Sequence, residues 1–155
     1  MYYFGYCTFL WDPERAKWLP EAKFVTQAVA PNHQIQFRLV FEGDDRGQCH
    51  ITNTIDAYGS SVRGLVFEVD EHHIHDPFEG FDTIFLTVHG DDGNAYDCYT
   101  LRLTNPGEFM KPPRYYWDRI RLGMENAGFP EDYQNTVKSM FEDCPDCPDF
   151  ERPEP

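Results

Sequence analysis

The chain has 155 residues, a hydrophobic fraction of 41%, an aromatic fraction of 16% and a formal net charge of −14 at pH 7. That length and apolar content fit one packed domain rather than a disordered chain. The acidic balance argues against nucleic acid and anionic membrane surfaces as partners, because affinity for both rests on Lys and Arg. No apolar run approaches the ~20 residues of a membrane-spanning helix. The opening Met1-Tyr2-Tyr3-Phe4-Gly5 lacks the basic and long apolar regions of a signal peptide, so a cytoplasmic location is expected. Five cysteines, an odd number without framework spacing, are expected to be reduced thiols.

In chain order, Tyr2 to Tyr6 reads as a short strand, and Asp12 before Pro13 suits the start of a helix running to Trp18. Ala22 to Val29 is expected to be extended. Ile35, Phe37, Leu39 and Phe41 alternate with polar residues as in a half-buried strand, followed by a turn from Gly43 to Gly47. His50 to Ile55 and Arg63 to Val69 follow as strands. Thr83 to Val88 and Tyr96 to Leu103 form a hairpin around Gly90-Asp91-Asp92-Gly93-Asn94. Tyr116, Ile120, Met124 and Ala127 share one helical face, with Gly128 and Pro130 ending that helix. A last helix turns Tyr133, Val137, Met140 and Phe141 inward. From Cys144 on, repeated Pro, Asp and Glu read as a disordered acidic tail, which sets the domain at residues 1–143 and the tail at 144–155. Strands followed by helices make the class α+β: a small mixed β-barrel of about six or seven strands with flanking helices, two of them C-terminal.

Few chemical motifs stand out. His72-His73-Ile74-His75, with Asp76, has ligand-like spacing but no second ligand cluster, so it reads as solvated histidines and no metal is assigned. Cys144-Pro-Asp-Cys147 has redox or metal-knuckle spacing without a βαβ setting. No nucleophile elbow, phosphate loop or dinucleotide fingerprint is present. The apolar run Leu65-Val66-Phe67-Glu68-Val69 leads, through a polar crossing, to Phe78-Glu79-Gly80. A carboxylate beside an aromatic ring, if shielded from water, suits general-base work; on composition alone the same residues read first as a surface turn.

In combination these segments are more specific. Tyr3-Phe4-Gly5-Tyr6-Cys7-Thr8-Phe9-Leu10 resembles the opening of the γ-glutamylcyclotransferase-like family, where a first strand ends in Tyr-Gly-Ser-x-Leu. Arg63 to Val69 is similar to that family's central Gly-Val strand, Phe78-Glu79-Gly80 to its catalytic Glu-Gly, and Asp97-Cys98-Tyr99 to its strand bearing an active-site tyrosine. Pro113-Arg114-Tyr115-Tyr116 through Ala127-Gly128-Phe129-Pro130 resembles its Pro-x-x-Tyr helix, and Asp132-Tyr133-Gln134 its last helix. The resemblance spans Tyr2 to Met140.

The resemblance implies that Glu79 is the general acid-base. It implies that Tyr6, Cys7, Thr8, Phe9 and Leu10 line the pocket for the glutamyl carboxylate and amine, with Tyr99 and Tyr116 at its border. In the implied reaction the α-amine of a γ-glutamyl amide attacks its own γ-carbonyl, closing a lactam (5-oxoproline) and releasing the amine. The nucleophile is already tethered, so positioning supplies much of the rate. One carboxylate can take the ammonium proton and return it to the leaving nitrogen. No metal or organic cofactor is called for, and the partner is a small molecule with a γ-glutamyl-like group.

The chain departs from the family pattern at Cys7-Thr8, which replaces Gly-Ser. Thr8 keeps a hydroxyl, whereas Cys7 adds a Cβ where glycine allows close approach or positive φ. No histidine is evidently paired with Cys7, so it is not assigned as a nucleophile. The departure leaves two alternatives open: a non-catalytic binding or interaction protein on the same fold, and a different acid-base reaction on a specialised metabolite.

Overall fold

The computed structural model describes residues 1–70 and 78–155. His72, His73, His75 and Asp76 lie outside the described residues. Among the described residues, no three His, Cys, Asp or Glu side chains are grouped as a metal ion would require. No helix among the described residues is long and apolar enough to cross a membrane.

The elements run β1 (Tyr2–Gly5), a 3-10 turn (Cys7–Leu10), α1 (Asp12–Trp18), β2 (Lys23–Pro31), β3 (Gln34–Leu39), β4 (Gly47–Thr52), a second 3-10 turn (Ile55–Ala57), β5 (Ser61–Glu68), β6 (Phe81–Gly90), β7 (Ala95–Leu103), α2 (Arg114–Ala127) and α3 (Glu131–Glu142). The class is α+β, with two helices at the C-terminal end. Five strands close a barrel in the order β1-β5-β2-β6-β7, and β3 and β4 pair separately as a two-stranded sheet. The barrel is thus smaller than the six or seven strands expected, because β3 and β4 leave it as a hairpin. Closure comes from β1 running parallel to β7, with Tyr2 opposite Cys98 and Tyr3 opposite Tyr99. The other paired barrel strands are antiparallel.

Alternation decides which way β3 faces. Ile35, Phe37 and Leu39 are buried, and the strand ends at Leu39, so Phe41 falls beyond it and is exposed. Phe37 meets Trp117 of α2 and Phe141 of α3 edge-on at centroid separations of 6.2 and 5.9 Å. Trp117 and Phe141 stack on each other at 4.2 Å. Offset and edge-on rings each add about 0.5–1.5 kcal/mol beyond their burial, so this cluster is what attaches the hairpin to both helices.

Two expectations fail. Cys7 and Cys49 are joined as a disulfide across 42 residues of sequence, leaving Cys98, Cys144 and Cys147 free and buried. The odd count and irregular spacing concealed the pair because it joins a turn to a distant strand. The tail, disordered by composition, lies against the domain. Cys144 and Cys147 are buried, Phe150 packs on Phe141 and beneath Arg114, and Arg114 also pairs with Glu151 at 2.7 Å. Lys111 pairs with Asp146 at 2.6 Å and Arg152 with Asp45 at 3.2 Å. Apolar anchors and opposite charges spaced along the tail offset the entropy of ordering it.

Candidate functional site

A cavity of about 400 Å3 opens where the end of β1, the hairpin, α1 and α2 meet. Its wall begins where the first strand ends. Tyr6 is buried and donates its hydroxyl to the Leu101 carbonyl of β7 at 2.6 Å, fixing the strand end to the barrel. The chain then turns sharply, with Cys7 at φ +55°. That left-handed conformation costs a non-glycine residue about 1–2 kcal/mol. The bond to Cys49 holds Cys7 against β4 in spite of that cost. The turn continues through Phe9 N–H to Tyr6 C=O at 3.2 Å and Trp11 N–H to Thr8 C=O at 3.1 Å.

The turn rests on α2 at Gly123, where an added Cβ would lie 2.7 Å from the Leu10 Cβ and 2.9 Å from the Leu10 carbonyl carbon. Only glycine lets the helix and the turn approach this closely. One helical turn and more before it, Tyr116 enters the cavity wall and accepts the Cys49 N–H at 3.1 Å, with Thr8 beside its hydroxyl. Burial pushes the Tyr116 phenol up, partly offset by the Cys49 amide and the Arg46 guanidinium. The Tyr6 phenol is raised more strongly, again by burial and then by Tyr3 and Tyr116, so both stay protonated donors or neutral acceptors.

Glu79 borders the same cavity. Phe81 N–H bonds to Phe78 C=O at 2.9 Å, closing a four-residue turn with Gly80 in its third position at φ +83°. Glycine is the residue that tolerates that position. An added Cβ there would also lie 2.3 Å from Val40 Cγ1. Phe78 is pinned edge-on by Trp18 at 4.5 Å and by Phe81 at 6.0 Å. Glu79 itself is exposed, as the surface-turn reading of the sequence has it and not the shielded one, and its carboxylate bonds to none of the described residues. The turn aims it at solvent on the cavity rim because Phe78 occupies the inward position.

Glu79, Tyr6, Cys7, Thr8, Phe9 and Tyr116 therefore share one cavity. Leu10 does not line it; it is buried behind the turn, against Gly123. Tyr99 is likewise beneath the surface, 2% exposed, with its ring edge-on to Tyr3 at 5.1 Å. Its hydroxyl has no hydrogen-bond partner among the described residues, and burial pushes it up to about 12.

Sequence reasoning missed the charged part of the wall. Arg46 lies over the Tyr116 and Tyr115 rings at 5.1 and 5.7 Å and donates to the Tyr115 hydroxyl at 2.6 Å. Its buried Nε has no partner among the described residues. Arg119 is held by Glu14 at 3.1 Å and by Glu154 of the tail, which with Pro155 borders the cavity. Arg46 was hidden in a turn that reads as solvent-exposed, while Arg119, three residues past Tyr116, had helical spacing as a signal.

A five-strand barrel carrying a side hairpin and two C-terminal helices, with its cavity at the end of the first strand, is the γ-glutamyl cyclotransferase-like fold. The chain superposes on a solved structure described as a gamma-glutamyl cyclotransferase with a TM-score of 0.81, covering 100% of this chain and 93% of that one at 19% identity. An uncharacterised protein from Homo sapiens aligns with a TM-score of 0.75 at 22% identity, over 89% of this chain and 86% of that one. YkqA from Bacillus subtilis gives 0.75 at 17% identity, with 94% of this chain covering 55% of that protein. No family model matches the chain, and no curated protein sequence does.

Proposed function

We propose that the protein is a γ-glutamyl cyclotransferase-like enzyme that converts a γ-glutamyl-type amide into a lactam and a free amine. The observation that carries this reading is that Glu79 and the Tyr6–Phe9 turn, far apart in sequence, border one cavity. The backbone of the turn binds the α-carboxylate and α-amine end of the substrate. Glu79 removes a proton from the α-ammonium, the freed amine attacks the γ-carbonyl, and the same carboxyl protonates the departing nitrogen. Tyr116, held by the Cys49 amide, keeps its place beside the turn. The pocket supplies proximity, which accounts for much of the barrier reduction in a reaction that closes a five-membered ring. No step draws on a metal or an organic cofactor.

The wall of Phe9, Trp18, Phe78 and Phe81 supports a bulky amine half rather than a small amino acid. The test is 5-oxoproline release by the wild type and by Glu79→Gln, whose amide cannot accept the amine proton. Near wild-type turnover by that variant removes Glu79 from the mechanism. A second reading, a binding protein on the same fold, is favoured by the disulfide at Cys7, where the family has glycine. Saturable ligand binding with no 5-oxoproline from any γ-glutamyl amide supports that reading instead.

A further inference from the structure

The disulfide lies in an unusual place for a purely structural bond. Cys7 and Cys49 are 2% and 4% exposed, and both line the cavity. The approach to the bond thus runs through the same opening that admits a small ligand. Arg46 shares the cavity and lies over the ring of Tyr116, whose hydroxyl accepts the Cys49 N–H at 3.1 Å. A guanidinium lining the same cavity favours the anionic form both of an arriving thiol and of the sulfur that leaves. The three remaining cysteines are buried and line no part of this cavity, so they do not relay the exchange.

We infer that the Cys7–Cys49 pair is a thiol-exchange site for a small thiol that enters the cavity. The thiolate attacks one sulfur of the pair; the bond between Cys7 and Cys49 breaks, a mixed disulfide forms, and the other sulfur leaves as a thiolate that takes up a proton. A second molecule of the small thiol attacks the mixed disulfide. Cys7 and Cys49 are then both thiols, and the small thiol has been oxidised to its own disulfide, two electrons having passed to the protein. The intermediate adduct projects into the volume assigned above to the substrate, so thiolation and substrate binding exclude one another. The exchange goes beyond the proposed reaction, and its readout is mass rather than turnover.

The experiment takes the full chain purified without reductant and exposes it, at neutral pH without denaturant, to 2-mercaptoethanol or to a thiol-bearing dextran too large for the cavity. Timed alkylation and peptide mass analysis then count labelled Cys7 and Cys49. Entry through the cavity predicts labelling of both residues by the small thiol at a rate indifferent to mild urea. The dextran thiol must wait for unfolding, which slows it by roughly 10³-fold or more for a domain of ordinary stability. Cys49→Ser treated with 2-hydroxyethyl disulfide gives one adduct, on Cys7; should that variant not fold, the wild-type rates decide alone. Equal rates for the two thiols, labelling that requires urea, or Cys7 and Cys49 found as thiols before treatment would each overturn the inference.

Discussion

The two sides of the cavity are held in opposite ways. The Cys7–Leu10 side is tied by a covalent bond to β4, by the Tyr6 hydroxyl to β7 and by close packing on Gly123 of α2. The Glu79 side has a fixed backbone turn, but its carboxylate is exposed and bonded to none of the described residues. In the proposed reaction this division is useful. The wall that positions the substrate is preorganised, while the group that must take a proton at one atom and deliver it to another keeps its rotamers. The contrast predicts that substitutions at the rim alter rate without stability, and that substitutions in the wall alter both.

The largest effect is expected at the rim. Glu79→Gln lowers turnover by roughly 10²–10⁴-fold, while its unfolding free energy stays within about 0.5 kcal/mol of wild type, as for other exposed positions; steady-state kinetics beside urea denaturation separate the two. A comparable loss of stability in that variant would erase the contrast. On the wall, replacing Cys7 and Cys49 together by serine removes a cross-link spanning 42 residues and is expected to cost about 2–4 kcal/mol in chemical denaturation. No change in midpoint would mean that the bond does not hold the wall.

A pH effect comes next. His50, beside Cys49 on β4, accepts the Leu103 N–H at 3.1 Å and so ties the hairpin to the barrel. Burial first, then Arg38 and Arg102, lower its pKa from 6.5 to about 4. Between those values the unfolded chain binds a proton that the folded chain refuses. The His50 contribution is therefore complete above about pH 6.5 and is lost as pH falls toward 4, on the order of 3 kcal/mol. Subtracting the stability–pH curve of His50→Gln from that of wild type isolates it, and superimposable curves would show that His50 does not titrate this way. Smaller in stability than the loss of the cross-link is Gly123→Ala, about 1–3 kcal/mol of overpacking against Leu10. Its sharper sign is a turnover loss disproportionate to that destabilisation, because the turn itself must shift. Unchanged kinetics would show that the turn tolerates displacement.

Much of the framework was legible because it rests on local pattern. The alternation of Ile35, Phe37 and Leu39, the Gly90–Asn94 hairpin and the Tyr116-to-Ala127 helical face each encode their element within a short window. The exit of β3 and β4 from the barrel was not legible, since pairing partners are decided by contacts such as Phe37 on Trp117. Phe78-Glu79-Gly80 was recognisable as a segment, but its exposure depends on Trp18 and Phe81, which claim Phe78 for the inner face. Arg46 and Cys49 could not be found by spacing, because only the closed fold sets them against Tyr116 and Cys7. The tail misled in the other direction: its average composition is that of disorder, yet Phe150, Cys147 and Arg152 are individually anchored.

The most direct test of the central claim is product analysis on γ-glutamyl amides whose amine halves range from glycine-sized to bulky and aromatic. The account predicts 5-oxoproline and free amine in equal amounts from the wild-type protein, with the bulky aromatic amines released faster than the small ones. Binding of those amides, seen by titration calorimetry, with no 5-oxoproline formed from any of them would contradict it.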